Sequence, residues 1–390
     1  MIPQVAGKLM DIFGKDASLL FDPYCGSGTS LVEASLRGIP AVGTDLNPLA
    51  RLIAQAKISL PDLPRLRETI TSFHRQALEE RIRALGEPKE IYGIPNLFFW
   101  FKPEVVEKLS RIKTFIESIE DAQIRLFFQV AFSETVRESS NTRNNEFKLY
   151  RMPEEKLANF HPDVYGMMAK KLQRNLRGYE EYRDRIENAG YLPKVSIYGF
   201  NTVEGIPAEI LPPRSVDLVV TSPPYGDSGT TVAYGQYSRL SAAWLGLEEP
   251  HKIDKKLMGA RKAAEISRFP SDALNEAIAR IARVDEKRAR HVSSFYADLQ
   301  NSIFHVSETI QRGGYACYVV GNRRVKEVEL PTDSAISAFF EARGFSHVET
   351  FSRTIPNKRM PRKNSPTNQA GMLSKTMTRE YIVVMRREEP

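Results

Sequence analysis

Apolar residues in this chain change period several times, and the changes mark its elements. Residues 4–14 keep apolar side chains at helical spacing and stop at Gly14, which predicts a short amphipathic helix. Ala17–Phe21 is a compact apolar run of strand type, followed by a glycine turn and a helical stretch, Ser30–Arg37. Ile39–Thr44 is a second strand that ends at Asp45, and Asn47-Pro48 is placed to open the next helix. Strand, glycine turn, helix, strand and acidic residue is the order of the first half of a doubly wound nucleotide-binding sheet.

From about residue 60 to 190 the pattern turns to Glu, Arg, Lys and Leu at helical spacing, with no convincing parallel strand. Strand signals resume at Val195–Tyr198 and Ser215–Val220, and a second charged helical stretch covers roughly 250–310. Tyr315–Val320 is a buried-type strand expected after a turn at Gly313-Gly314. His347–Arg353 and Tyr381–Met385 read as a closing antiparallel pair, which makes seven strands. The expected division is residues 1–59 as the first part of an α/β domain and 60–190 as a large helical insertion. Residues 191–390 form its second part, with a basic helical insert near 250–310. There are no internal repeats and no low-complexity tracts.

Composition narrows the class. With 390 residues, 42% hydrophobic and 26% charged, the chain is globular and long enough for an α/β domain plus a second body. No apolar run reaches bilayer length, and the first residues lack the layout of a signal peptide. Only Cys25 and Cys317 are present, so no disulfide framework is expected and the cytoplasm is the expected compartment. No Cys/His cluster has zinc spacing, so no metal is expected. The net charge of +7 favours a polyanionic partner.

Two short stretches carry the chemistry: Phe21-Asp-Pro-Tyr-Cys-Gly-Ser-Gly-Thr29 and Thr221-Ser-Pro-Pro-Tyr225. Gly26 and Gly28 stand where a strand-to-helix turn brings backbone close to a ligand. No third glycine at dinucleotide spacing and no Lys after the turn are present, which argues against NAD and P-loop readings. Asp45 ends the second strand at a spacing that suits a ribose diol, and it equally suits a cap for the helix opening at Asn47-Pro48. Cys25 sits inside the turn and reads as a small filling residue rather than as a nucleophile. The aromatic run Asn96–Phe101 reads as a helix start that packs a core rather than as a base-stacking surface.

Together the two stretches resemble the S-adenosylmethionine-dependent DNA amino-methyltransferases, which methylate N4 of cytosine or N6 of adenine. The resemblance covers about half of the chain. It implies a Rossmann-like, mostly parallel seven-stranded sheet and S-adenosyl-L-methionine as cofactor. Asp22 would lie near the cofactor's amino group, with Tyr24, Cys25, Gly26, Gly28, Thr29 and Thr221 around it, Asp45 at the ribose and Asn201 at the adenine or in an ordinary turn. The side chain of Ser222 and the carbonyl of Pro223 would accept the two hydrogens of the exocyclic amino group. Pro224 would stiffen the turn, and Tyr225 would stack on a base flipped out of the duplex. Serine at 222 leans toward cytosine N4 over adenine N6. The polar stretch Gly226–Gln236 reads as a lid, in which Tyr234 and Gln236 either touch DNA or are loop residues.

Double-stranded DNA is the expected partner, and a cognate restriction endonuclease belongs to the same expectation. Contacts are expected from Arg137, Asn141, Arg143 and Asn144, from Lys252–Lys262, and from Lys358, Arg359, Arg362 and Lys363. A solvated surface is the competing reading for each. Members of the family usually carry a segment ahead of the Ile2-Pro-Gln equivalent that helps close the cofactor site. The resemblance therefore implies a missing N-terminal segment or a second subunit that completes it. Two other functions stay open: an RNA amino-methyltransferase, and a non-catalytic methyltransferase-like DNA-binding subunit.

Overall fold

A computed structural model describes every residue except 83–93, 144–145, 147, 192–193, 228–232, 261–263, 356–362, 365–373, 376–378 and 389–390. The chain divides into two compact units. A sheet unit comprises Met1–Leu46, Pro193–Thr231 and Lys255–Pro390, and a helical unit comprises Asn47–Leu192 and Val232–Asp254.

The sheet unit holds β1 (Leu20–Asp22), β2 (Ala41–Thr44), β3 (Val195–Tyr198), β4 (Val216–Thr221), β5 (Ile310–Val320), β6 (Phe345–Thr354) and β7 (Arg379–Arg387). They form one sheet in the order β3-β2-β1-β4-β5-β7-β6, the mostly parallel seven-stranded α/β architecture expected from the sequence. The first five strands run parallel, and β7 is antiparallel to both β5 and β6. The central strands are buried on both faces, which is why they read as unbroken apolar runs. Alternation sends Phe21, Val219 and Tyr318 to one face, against the helices Asp272–Val284, Glu286–Thr309 and Thr332–Glu341. Leu20, Leu218 and Cys317 go to the other, against the helices Pro3–Phe13 and Thr29–Ser35.

Two expectations need correction. The stretch 250–310 is not an insert: Leu274, Ile278, Phe295, Leu299 and Ile303 belong to the core on one sheet face. Its charges line the outer sides of two amphipathic helices, which made it look like a separate body. Gly313-Gly314 is not a turn before a strand, because β5 begins at Ile310 and runs through both glycines. There the register advances two residues along β4 and five along β5. Gly313, at φ 75°, supplies the left-handed conformation of that irregularity. At Gly314 an added Cβ would lie 2.9 Å from the Asp217 carbonyl, so the strand closes there only without a side chain.

The helical unit packs Leu63–Ile82, Pro103–Glu117, Ala122–Ser139 and Val164–Ala189 around Phe73, Phe101, Phe128, Phe132 and Trp244. It runs from Asn47 and takes in Tyr234–Trp244, because that helix and Pro48–Ile58 both pack on Ala122–Ser139. The run Asn96–Phe101 divides in two. Leu97 and Phe101 enter the core, as expected, whereas Phe98 and Phe99 remain about half exposed.

Among the described residues no helix is long and apolar enough to cross a membrane. No group of His, Cys, Asp or Glu among them could hold a metal ion.

Candidate active site

The sheet order reverses between β1 and β4, and the two motif loops leave the carboxyl ends of these neighbouring strands. An α/β sheet opens a crevice at such a point. At the end of β1, Asp22 is only 2% exposed. Its Oδ1 accepts from the Tyr24 N–H at 3.0 Å and from the Thr221 hydroxyl, and its Oδ2 accepts from the Ser30 hydroxyl. Burial pushes this carboxyl above its ordinary range, against the pull of those hydrogen bonds. The carboxylate expected at the cofactor's amino group is thus occupied by protein donors. The role its geometry gives it is to organise the loop and to bind that loop to the end of β4.

Gly26 and Gly28 take φ values of 50° and 77°, as the turn requires. A Cβ on Gly26 would find no atom within 4 Å, so its backbone borders open space. Asp45 Oδ2 accepts the Gly26 N–H at 3.0 Å. The capping alternative for Asp45 falls away, because Asn47 caps the helix Pro48–Ile58 through its own side chain. Tyr24 turns its hydroxyl to Ser302 at 2.5 Å, and Ser302 meets Thr202 at 2.6 Å. Burial drives the Tyr24 phenol far above its ordinary pKa. Thr29 begins the helix after the turn. Cys25 packs in the core with Leu31 and Ala41.

Beside this loop lies a cleft of about 810 Å³, lined by Leu46, Phe200, Asn201, Val203, Pro207 and Met258 among others. Asn201 is both wall and turn: its Oδ1 accepts the Val203 N–H at 3.1 Å. The volume falls in the range of small-molecule sites, about 300–1,000 Å³. Walls that mix apolar side chains with the charged Glu204, Lys255, Lys256 and Asp298, the bare Gly26 backbone beside them and the Asp45 carboxylate fit a nucleoside-bearing cofactor such as S-adenosylmethionine.

On the other side of the reversal, β4 delivers Thr221 fully buried and Ser222–Tyr225 into the crevice. Ser222 Oγ lies 3.0 Å from the Val319 carbonyl and 3.3 Å from Tyr225 Oη. Tyr225 Oη donates to Glu380 at 3.1 Å, and Arg353 donates to the other oxygen of Glu380 at 2.8 Å. Directly after the turn, Asp227 Oδ2 accepts from Arg288 and Arg323, each at 3.0 Å. Burial opposes the Asp227 charge, yet Arg323 and Arg288 hold the carboxyl below its ordinary value. None of Glu380, Arg353, Asp227, Arg288 and Arg323 stood out in the sequence. The available signal was a Glu at the mouth of an apolar closing strand, Arg379-Glu-Tyr381.

The helical unit holds the first group of expected DNA contacts, and it folds part of it inward. Helix Ala122–Ser139 extends through the start of the run, leaving Arg137 5% and Asn141 2% exposed. Arg137 stacks on Tyr237 at 4.7 Å and donates to the Glu146 carbonyl at 2.9 Å. Asn141 Nδ2 donates to the Phe99 carbonyl at 3.2 Å. As folded, these two hold chain segments together rather than projecting to a partner. Arg143 is half exposed, pairs with Glu146 at 3.2 Å and lies over the Tyr150 ring. Arg151 lies over Phe99 at 4.9 Å, and Gln236 accepts the Leu149 N–H at 3.3 Å. Phe99, Tyr150, Tyr234 and Tyr237 are all about half exposed. Asn144, Lys358, Arg359 and Arg362 lie outside the described residues, as do residues 228–232 of the expected lid and 261–262 of the basic run. Lys363 stands on the short strand Lys363–Asn364. Lys252 pairs with Glu249 at 2.7 Å.

No protein-family profile matches the chain. A curated relative, the type II methyltransferase M.MvaI of Kocuria varians, is 40% identical over 404 aligned residues, spanning 99% of this chain and 88% of the relative. The type II methyltransferase M.MjaII of Methanocaldococcus jannaschii is 25% identical over 132 residues, 33% of this chain and 25% of that protein. Among solved structures, the rRNA methyltransferase aviRa of Streptomyces viridochromogenes covers 99% of this chain and 85% of its own at 10% identity. Its TM-score of 0.35 is too low to bear on the assignment. Likeness along nearly the whole length of the first relative decides the matter: the chain belongs to the type II methyltransferases, with S-adenosyl-L-methionine as its methyl donor.

Proposed function

We propose that this chain methylates an exocyclic amino group of a flipped base in double-stranded DNA, with cytosine N4 the favoured acceptor. It would act in the cytoplasm as the modification partner of a restriction endonuclease. One observation carries this reading: the Thr221 hydroxyl binds Asp22, fastening the glycine loop to the Ser-Pro-Pro-Tyr turn at the sheet's point of reversal. A methyl-donor pocket at the first and an amino-group pocket at the second would thereby stand side by side. The family supports DNA as the substrate.

S-adenosylmethionine, when bound, supplies an electrophilic methyl group on its sulfonium. The cleft would hold it with Asp45 toward the ribose, Asn201 toward the adenine and the Gly26–Gly28 backbone beside the methionine part. Ser222 Oγ and the Pro223 carbonyl would accept the two amino hydrogens, drawing the nitrogen out of conjugation and toward the donor. The turn is stiffened by Pro223 and Pro224, so little freedom remains to be lost on binding. Tyr225 would stack on the extruded base. No general base is required in advance, because the methylated ammonium is acidic enough to release its proton afterwards.

Transfer of tritium from labelled S-adenosylmethionine, measured on duplex DNA and on tRNA, tests the assignment. Label on duplex DNA, recovered after digestion as N4-methyl-2′-deoxycytidine, is the expected result. N6-methyladenine would overturn the choice of base, and label confined to tRNA would overturn the DNA reading. No label on either would favour a binding subunit.

A further inference from the structure

We propose that Glu380 is a positioning residue that sets the proton direction of a hydrogen-bonded chain, Ser222 to Tyr225 to Glu380, and so holds Ser222 as an acceptor. The proposal rests on the amino-methyltransferase reading above and assigns that site one more member.

The placement follows from topology. β7 runs antiparallel to β5, so its first residues arrive where the parallel strands end. Tyr381 is the register partner of Val320, two strands from the end of β4, and Glu380 lies opposite Arg353 across to β6. Glu380 is thereby brought to a turn that is 155 residues away in sequence. Arg353 Nε holds one carboxylate oxygen at 2.8 Å and leaves the other facing Tyr225 Oη at 3.1 Å. Both members of the pair are largely shielded, with side chains 25% and 14% exposed.

Donor and acceptor counting fixes the direction. A carboxylate has no proton to give, so the phenol must donate its single proton to Glu380. Toward Ser222, 3.3 Å away, Tyr225 Oη can then only accept. The Val319 carbonyl, 3.0 Å from Ser222 Oγ, is likewise only an acceptor. Whichever of the two it chooses, the serine proton is spent inside the protein, and the lone pairs of Oγ are left for a donor. An exocyclic amino group presents two such donors. If the phenol proton turned toward Ser222 instead, it would compete for those lone pairs and loosen the platform offered to the base.

Glu380→Gln keeps the shape of the side chain, but its amide can donate to Tyr225 Oη and release the phenol proton. The experiment compares wild type, Glu380→Gln, Tyr225→Phe and the double variant under saturating S-adenosylmethionine on duplex DNA. We expect kcat to fall about tenfold in Glu380→Gln, the size of one lost charged hydrogen bond. KM for the cofactor should stay within about twofold. The double variant should be no slower than Tyr225→Phe, because Glu380 acts through the phenol. Wild-type kcat in Glu380→Gln, or losses that multiply in the double variant, would overturn the proposal. Wild-type transfer to tRNA in place of duplex DNA would instead count against the substrate reading alone. The same four-way comparison on tRNA would then decide for or against Glu380.

Discussion

A methyl group added at Gly26 and one added at Gly226 meet opposite surroundings. At Gly26 it points into open space, while at Gly226 it lands 2.1 Å from Arg323 Nη1. Gly26→Ala should therefore cost only the strain of a positive φ, about 1 kcal/mol, and fill space proposed for the cofactor. Its expected signature is a cofactor Kd raised about tenfold or more by calorimetry, with the urea midpoint little changed. Gly226→Ala must push Arg323 off Asp227 and should lose about 2 kcal/mol of stability. If the two variants exchanged these signatures, the cofactor cleft would be misplaced. Glycine, serine and tyrosine in the motifs were legible because each does local work in a tight turn. Glu380 and Arg323 were not legible, since their partners lie 155 and 96 residues away and only the assembled sheet brings them together. For Asp22 the motif marked the position, and only its burial and three protein donors showed how its carboxylate is used.

At the scale of elements, Asp227 joins three pieces of the sheet unit: the turn after β4, the segment after β5 through Arg323, and the helix Glu286–Thr309 through Arg288. The carboxylate is about as buried as the two guanidiniums that share it, so removing it leaves buried positive charge that must be accommodated. Asp227→Asn should destabilise the protein by about 3 kcal/mol near neutral pH, measured by urea unfolding. The sign of the pH effect follows from a carboxyl held below its ordinary value. Its contribution is complete above the unfolded pKa of about 4 and disappears as the pH falls through the lower folded value. The gap between wild type and Asp227→Asn should accordingly narrow below about pH 4, and a gap that widened there would refute the ion-pair account. Element type was readable wherever periodicity alone decided it, as at Val195–Tyr198 and in the helix ended by Gly14. It failed at Gly313-Gly314, where two glycines serve an irregular strand instead of a turn, a choice made by pairing with β4.

At the scale of the whole molecule, the cleft proposed for the cofactor and the exposed arginine–aromatic surface belong to different units. Gly26, Asp45, Asn201 and the cleft walls all come from the sheet unit. Phe99 and Tyr150, each half exposed with the guanidinium of Arg151 or Arg143 over its ring, come from the helical unit. Rings paired with arginine suit nucleic acid, since bases stack on the ring while the cation meets phosphate. The chain's charge of +7 supplies a general attraction to a polyanion but does not say where it acts. Arg143 is the test residue, because its side chain is about half exposed whereas Arg137 and Asn141 are buried. Arg143→Ala should weaken binding to duplex DNA at low salt, and the slope of log affinity against log salt should become shallower by about one unit if a single phosphate contact is lost. Tyr150→Ala should weaken binding with the slope unchanged, as expected when stacking rather than charge is removed. In both variants cofactor affinity should match wild type, because the residues lining the proposed cofactor cleft belong to the sheet unit. Salt titrations by fluorescence anisotropy measure all three quantities. A wild-type slope and affinity in Arg143→Ala would move the DNA contact elsewhere, and a fall in cofactor affinity would end the division of labour between the two units.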